Sequence, residues 1–196
     1  LKYNFKQKEI VNHKYFKKEF LLNKNNDGLN VLSKLNSNFD SDVLHYCLIN
    51  NIMDKSTLTA LTSSGETMLH IMVRKGYITQ AIDIILSYND KSLLTDKLDK
   101  KTNILYEICK HEKTDLDISF FVKLGIEMSD LLEVVNGQHI LFVLYEHNYS
   151  FFVKVVKNYK LTKEILWMHV PNTKHKFISY ALQMRPEFVE ILDCDL

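Results

Sequence analysis

The chain is poor in the residues that make sharp turns: five Gly and two Pro in 196 residues. A β-sandwich or barrel draws heavily on both for its many tight connections, so this scarcity favours helices joined by short links. Charge of one sign is also lacking. The net charge is +1, which supplies no global field for nucleic acid or membrane. Long apolar runs are absent as well. Stretches such as Ile140 to Leu144 fall far short of the ~20 residues a bilayer span requires. Three cysteines, Cys47, Cys109 and Cys194, cannot all pair internally, which points to a reducing, cytoplasmic setting. The start at Leu1-Lys2-Tyr3, without Met or a signal-peptide layout, leads us to expect a segment cut from a longer protein.

What is present is repetition. Six-residue segments beginning at Asp42, Thr67, Asn103, His139 and Lys176 line up on a marker Leu or Ile at 44, 69, 105, 141 and 178. The spacings are 25, 36, 36 and 37, so the first unit is truncated or out of register. Each segment opens an apolar pattern of helical period, as Leu69, Met72 and Val73 do. A second apolar stretch follows in each later unit: 81–86, 120–124, 151–156 and 188–192. Polar residues recur in these stretches too sparsely for surface helices, so they are expected to lie between neighbours. A third feature precedes the next unit: Leu93-Leu94, Leu131-Leu132 or Ile165-Leu166, then a turn at Asp99, Asn136-Gly137 or Asn172. The unit reads as helix, short turn, helix, and a longer loop with a turn at its tip. A lone pair of such helices cannot bury both apolar faces, whereas stacked pairs bury a continuous core.

Ser64-Gly65-Glu66-Thr67-Met68-Leu69-His70, followed by Gly76 and Ile82-Asp83-Ile84-Ile85-Leu86, resembles the ankyrin repeat. It matches that family's Gly-x-Thr-Pro-Leu-His start, its Gly between helices and its Val/Leu-rich second helix. Asp42 to Tyr46 and Asn136 to Leu141 match more weakly, and the resemblance covers roughly residues 40 to 196. No unit carries Pro before the marker, where Val43, Met68, Ile104, Ile140 and Phe177 stand, and Asn148 replaces the inter-helix Gly in the fourth unit. The resemblance implies an all-α helix-pair solenoid of about four to five degenerate repeats. It also implies that His45 and His70 brace loop backbone. Many members of the family in intracellular bacteria and large DNA viruses are secreted effectors, and the Lys-, Asn- and Ile-rich composition suits an AT-rich genome of that sort. For such an effector the compartment would be the host cytoplasm.

Residues 1–39 form a distinct segment ahead of the array at 40–196. Within 1–24, seven Lys against Glu9 and Glu19 give +5, leaving −4 for the rest. A helical cap, apolar toward the first repeat and Lys-rich toward water, accounts for this. Contact with an anionic surface is the sharper alternative. Nucleic-acid binding is disfavoured because the segment's charge is Lys without Arg.

No phosphate loop, nucleophile elbow or zinc spacing is present, and no cofactor is expected. His45 and Cys47 stand two apart, which points their side chains away from each other on a helix. Cys47 and Cys109 read as small buried hydrophobes rather than nucleophiles. His139 and His147, eight apart, could share a helix face. Trp167, in the loop from Leu161 to Val170, is either core filler or an exposed anchor for a partner.

By the resemblance, the binding surface is the concave side of the stack, built from turn tips and the outward positions of each first helix. Position gives the tips Ser64, Glu66, Lys100, Gln138 and Thr173, and the helix positions Arg74, Lys75, Glu107, Lys110, Glu146, His147 and Gln183. The expected partner is another protein and the expected role is recruitment, not catalysis. Two alternatives are a substrate-recruiting part of a larger enzyme whose catalytic domain lies outside this chain, and a helical enzyme using Cys47 or Cys109.

Overall fold

A computed structural model of the chain describes residues 54–61, 65–96, 102–111 and 116–192. The basic segment, His45, Cys47, Ser64, Lys100 and Cys194 lie outside the described residues. The chain divides into two compact units, Leu1–Ile104 and Leu105–Leu196.

In the first unit, α1 (Lys55–Thr59) starts where the Asp54 carboxylate accepts the Thr57 N–H at 3.0 Å. The helix α2 (Met68–Arg74) opens on a reciprocal cap. The Thr67 hydroxyl oxygen accepts the His70 N–H at 3.3 Å, and His70 Nδ1 accepts the Thr67 N–H at 3.4 Å. Two otherwise orphaned amide donors are thereby satisfied. His70 braces the turn by this bond, in the manner the resemblance implies. Gly76, at φ +86°, reverses the chain into α3 (Ile78–Tyr88). The one-turn helix α4 (Ser92–Thr95) follows, burying Leu93 and Leu94.

The helix α5 (Ile104–Cys109) spans the boundary between the units. The second unit continues with α6 (Ser119–Lys123) and α7 (Met128–Leu131), then strands β1 (Val134–Val135) and β2 (Gln138–His139). After them come α8 (Ile140–His147), α9 (Tyr149–Tyr159), α10 (Lys163–Leu166) and α11 (Phe177–Met184). A 3-10 turn over Pro186–Ile191 ends the described chain. The strands pair antiparallel, Val134 opposite His139 and Val135 opposite Gln138. Asn136 (φ 51°) and Gly137 (φ 78°) supply the two positive φ values that a tight hairpin of the right twist needs. Helices dominate, but this hairpin makes the chain not purely α. Asn-Gly was legible as a turn; that its flanks pair as strands depends on backbone hydrogen bonds.

The order of elements recurs along the chain. Marker helices begin at 68, 104, 140 and 177, and one-turn helices at 92, 128 and 163. Side-chain hydrogen bonds bridge the same interval. Tyr145 Oη donates to the Ala181 carbonyl at 2.9 Å, 36 residues on, and Lys154 Nζ to the Leu116 carbonyl at 3.0 Å, 38 residues back. Asn148 Nδ2 donates to the His111 carbonyl at 3.2 Å and Tyr159 Oη to the Ile126 carbonyl at 2.6 Å, across 37 and 33 residues. In the first unit Lys55 Nζ reaches Ser92 Oγ at 3.0 Å, across 37.

Burial corrects one expectation. The second helices are not the enclosed ones: α3 exposes Thr79, Asp83 and Ser87, and α9 exposes Ser150, Lys154 and Lys157, each close to a single stripe. The marker helices α2, α5 and α8 are enclosed instead, while α11 buries only Phe177 and Ala181. In α8 all six residues from Ile140 to Tyr145 are buried, between α9, α7 and β2. A helix covered on several sides carries apolar residues all round and loses its amphipathic period. The stretch 188–192 also differs, forming a 3-10 turn that buries Phe188 and leaves Val189 exposed.

Aromatic side chains fill the core of the second unit. The rings of Phe142 and Phe177 stack at 4.7 Å, and Tyr145 meets Phe152 and Phe177 edge-on at 5.2 and 5.5 Å. Further back, Phe121 lies edge-on to both Phe120 and Phe151 at 4.5 and 5.2 Å.

Candidate functional site

In α2, α5 and α8 the polar side chains that reach water lie near the last turn, whereas α11 exposes Ser179 as well as Gln183. The expected contact residues fall largely there. In the first unit Arg74 ends α2 and Lys75 caps it, both exposed. Glu66, at the preceding tip, forms an ion pair with Arg74. Two of the proposed contact residues are therefore partners of each other, and only Lys75 of the three presents an exposed charge without a described ion pair.

In the second unit Glu107 is half-buried and Lys110 exposed, just past the end of α5. Glu146 and His147 end α8, both half-buried, and Glu146 Oε1 accepts a hydrogen bond from Tyr180 Oη at 2.9 Å. That bond ties α8 to α11 and makes Glu146 partly a structural residue. Gln138 lies in β2, opposite Val135. Thr173 is exposed, yet its hydroxyl donates to the Val170 carbonyl at 3.0 Å and accepts the His175 N–H at 3.1 Å, which commits it to its own turn. Gln183 is exposed on α11. The structure thus brings Glu66 to Arg74 and Glu146 to α11. Lys75, Lys110 and Gln183 are exposed and form no ion pair or side-chain hydrogen bond among the described residues.

The described residues weighed for chemistry occupy structural places. Cys109 is fully buried, and desolvation pushes its thiol far above the ordinary value, so it holds its proton. His139 precedes α8 and does not share a helix face with His147; its Nδ1 lies 2.5 Å from the Leu132 carbonyl, closing the hairpin loop. Burial raises the phenol of Tyr145 to about 12, so its proton stays available for the bond to Ala181. Asp90 is held below the usual carboxylate range, first by its hydrogen bond from Lys55 and then by that from Ser92. Among the described residues no three His, Cys, Asp or Glu side chains gather as a metal site, and no helix is long and apolar enough to cross a membrane.

The structure resolves the choice left open for Trp167. It is not core filler: at 61% exposure it caps α10, whose Ile165 and Leu166 turn inward. The loop Leu161 to Val170 accordingly contains a helical turn. The apolar pair just before Trp167 was the available signal, since it fills the inward arc of one turn and leaves the next residue outside it. Val134, Met184 and Val189 are also exposed and were not singled out by their spacing.

Comparison of the chain with protein-family models, curated proteins and solved structures gives no match in any of the three.

Proposed function

We propose that this chain is a protein-interaction module: an ankyrin-like stack of degenerate repeats that binds or recruits another protein and performs no chemistry of its own. The observation that carries this reading is the recurrence of one element order at intervals of 35 to 37 residues, with side chains such as Tyr145 bonding to backbone one interval away. Such bonds supply what a repeat array needs, because each unit completes its core and its polar pairing through its neighbours. A surface held by packed helices presents side chains already ordered, so binding loses less conformational entropy than it would from a flexible loop.

The exposed positions at the ends of the marker helices are the proposed contacts: Lys75 in the first unit, Lys110 and Gln183 in the second. Arg74, Glu66, Glu107, Glu146, His147, Gln138 and Thr173 are the other described residues of the expected contact set. Capture from lysate by the immobilised chain tests this, beside Lys75→Glu and a Lys110→Glu/Gln183→Glu double variant. Proteins retained by the native chain, identified by mass spectrometry and lost from a variant with unchanged melting temperature, would support the reading. A retained set identical to that of an unrelated control protein would overturn it.

A further inference from the structure

The second unit segregates its charge. Residues 160–176 carry Lys160, Lys163, Lys174 and Lys176 against Glu164 alone, a local balance of +3. The other described residues of that unit carry five basic side chains and eight acidic ones. The same short stretch holds Trp167, the chain's single tryptophan, 61% exposed.

Trp167 stands on an ordered platform. Its N–H donates to the Lys163 carbonyl at 3.0 Å, which closes one helical turn and sets Lys163 and Trp167 on the same side of α10. The following loop is tied by backbone bonds, from Val170 N–H to the His175 carbonyl at 3.1 Å and from Phe177 N–H to the Met168 carbonyl at 2.8 Å. His169 and Lys176 form a bridge across its base, and Lys174 is exposed at its tip. An exposed indole, with Lys163 one helical turn before it and Lys174 on the tied loop that follows, combines an apolar anchor with charges that select the occupant.

We infer that this tip is a docking site for an acidic peptide segment of a protein partner, with an aliphatic side chain of that segment on the Trp167 indole and its carboxylates on Lys163 and Lys174. The inference rests on the interaction-module reading and names the chemistry of the partner. Charge complementarity selects an acidic occupant. A lipid surface fits less well, because Trp167 is the only exposed large apolar residue between 160 and 176, and reversible membrane binding needs more buried apolar area than one side chain offers.

Because the chain has one tryptophan, its intrinsic fluorescence reads this site directly. The full chain is titrated with a synthetic peptide of alternating Glu and Leu, with the same peptide carrying Gln for Glu, and with phosphatidylserine-containing vesicles. The expected result is a saturable blue shift with the Glu peptide. The Gln peptide and a Lys163→Glu/Lys174→Glu variant, its fold verified by circular dichroism, should bind about tenfold more weakly, the loss expected from reversing two exposed charge contacts. No shift, an equal response to both peptides, or a response to vesicles alone would overturn the proposal. Trp167→Ala in the capture experiment separates the two readings. Capture undiminished by Trp167→Ala removes the tip as the docking site and leaves the module standing. Selective binding of the Glu peptide by a chain that captures nothing supports the tip and removes the marker-helix contacts.

Discussion

Tyr145 and Ala181 stand 36 residues apart, and the phenol of the first donates to the carbonyl of the second at 2.9 Å. Tyr145 ends the buried run of α8 while Ala181 lies inside α11, so the bond joins these two helices. The phenol ring is wedged among Phe152, Phe177 and Phe188, which fixes where its hydroxyl can reach.

Tyr145→Phe should lower stability by about 1 kcal/mol at neutral pH, the net worth of one intramolecular hydrogen bond. The alkaline limb carries a second signature. The folded phenol is raised to about 12, above the ordinary value of 10.0, so its contribution is full below pH about 10 and is lost as pH rises through about 12. Thermal melts of both proteins between pH 8 and 11 check this. The native chain should lose stability more steeply over the upper part of that range, and parallel slopes would contradict it.

Leu105 lies in α5 and is fully buried. Leu105→Ala should cost about 2–5 kcal/mol through lost burial and the cavity left behind. Chemical denaturation measures it, and an unchanged midpoint would contradict the repeat register.

Glu66 and Arg74 form a partly exposed ion pair, of a kind worth about 0.2–1 kcal/mol. Arg74→Glu should therefore lower the melting temperature by placing two carboxylates together, whereas Lys75→Glu next to it should leave melting nearly unchanged. For this reason Lys75 and not Arg74 is the clean probe of partner contact. Equal melting temperatures for the two variants would show that the pair contributes nothing.

Gly76 adopts φ +86° with nothing within 4 Å of the position a Cβ would take. Gly76→Ala should cost about 1 kcal/mol from backbone conformation alone. Gly76→Asn should cost less, since Asn tolerates the left-handed region, as Asn89 does at the end of α3. Equal losses in the two melts would contradict this.

Cys109 should resist a thiol-reactive probe in the folded chain and label only as the chain unfolds. Mass spectrometry of a Cys47→Ser/Cys194→Ser variant, in which no other thiol remains, reads it directly. Rapid labelling in the native state would favour the nucleophile reading instead.

The sequence by itself located the marker helices and the Asn-Gly turn. Leu69, Leu105, Leu141 and Ile178 fall in helices beginning at 68, 104, 140 and 177, and Asn136-Gly137 makes a turn. These features are local, because helical period and positive-φ turn chemistry act over a few residues. Which helix of each pair is enclosed was decided only by tertiary structure. The continuous apolar run of α8 and the mixed pattern of α9 are both compatible with an enclosed place, and neighbouring elements settle which one has it. The availability of site residues was decided the same way. Arg74, Glu146 and Thr173 are polar positions indistinguishable in sequence from Lys75 and Gln183, yet each has its own partner: Glu66, Tyr180 and the Val170 carbonyl. Trp167 was undecided for a similar reason. An indole has both the apolar area to fill a core and the polar edge to face water, and it stands outside because Ile165 and Leu166 already occupy the inward arc of its turn.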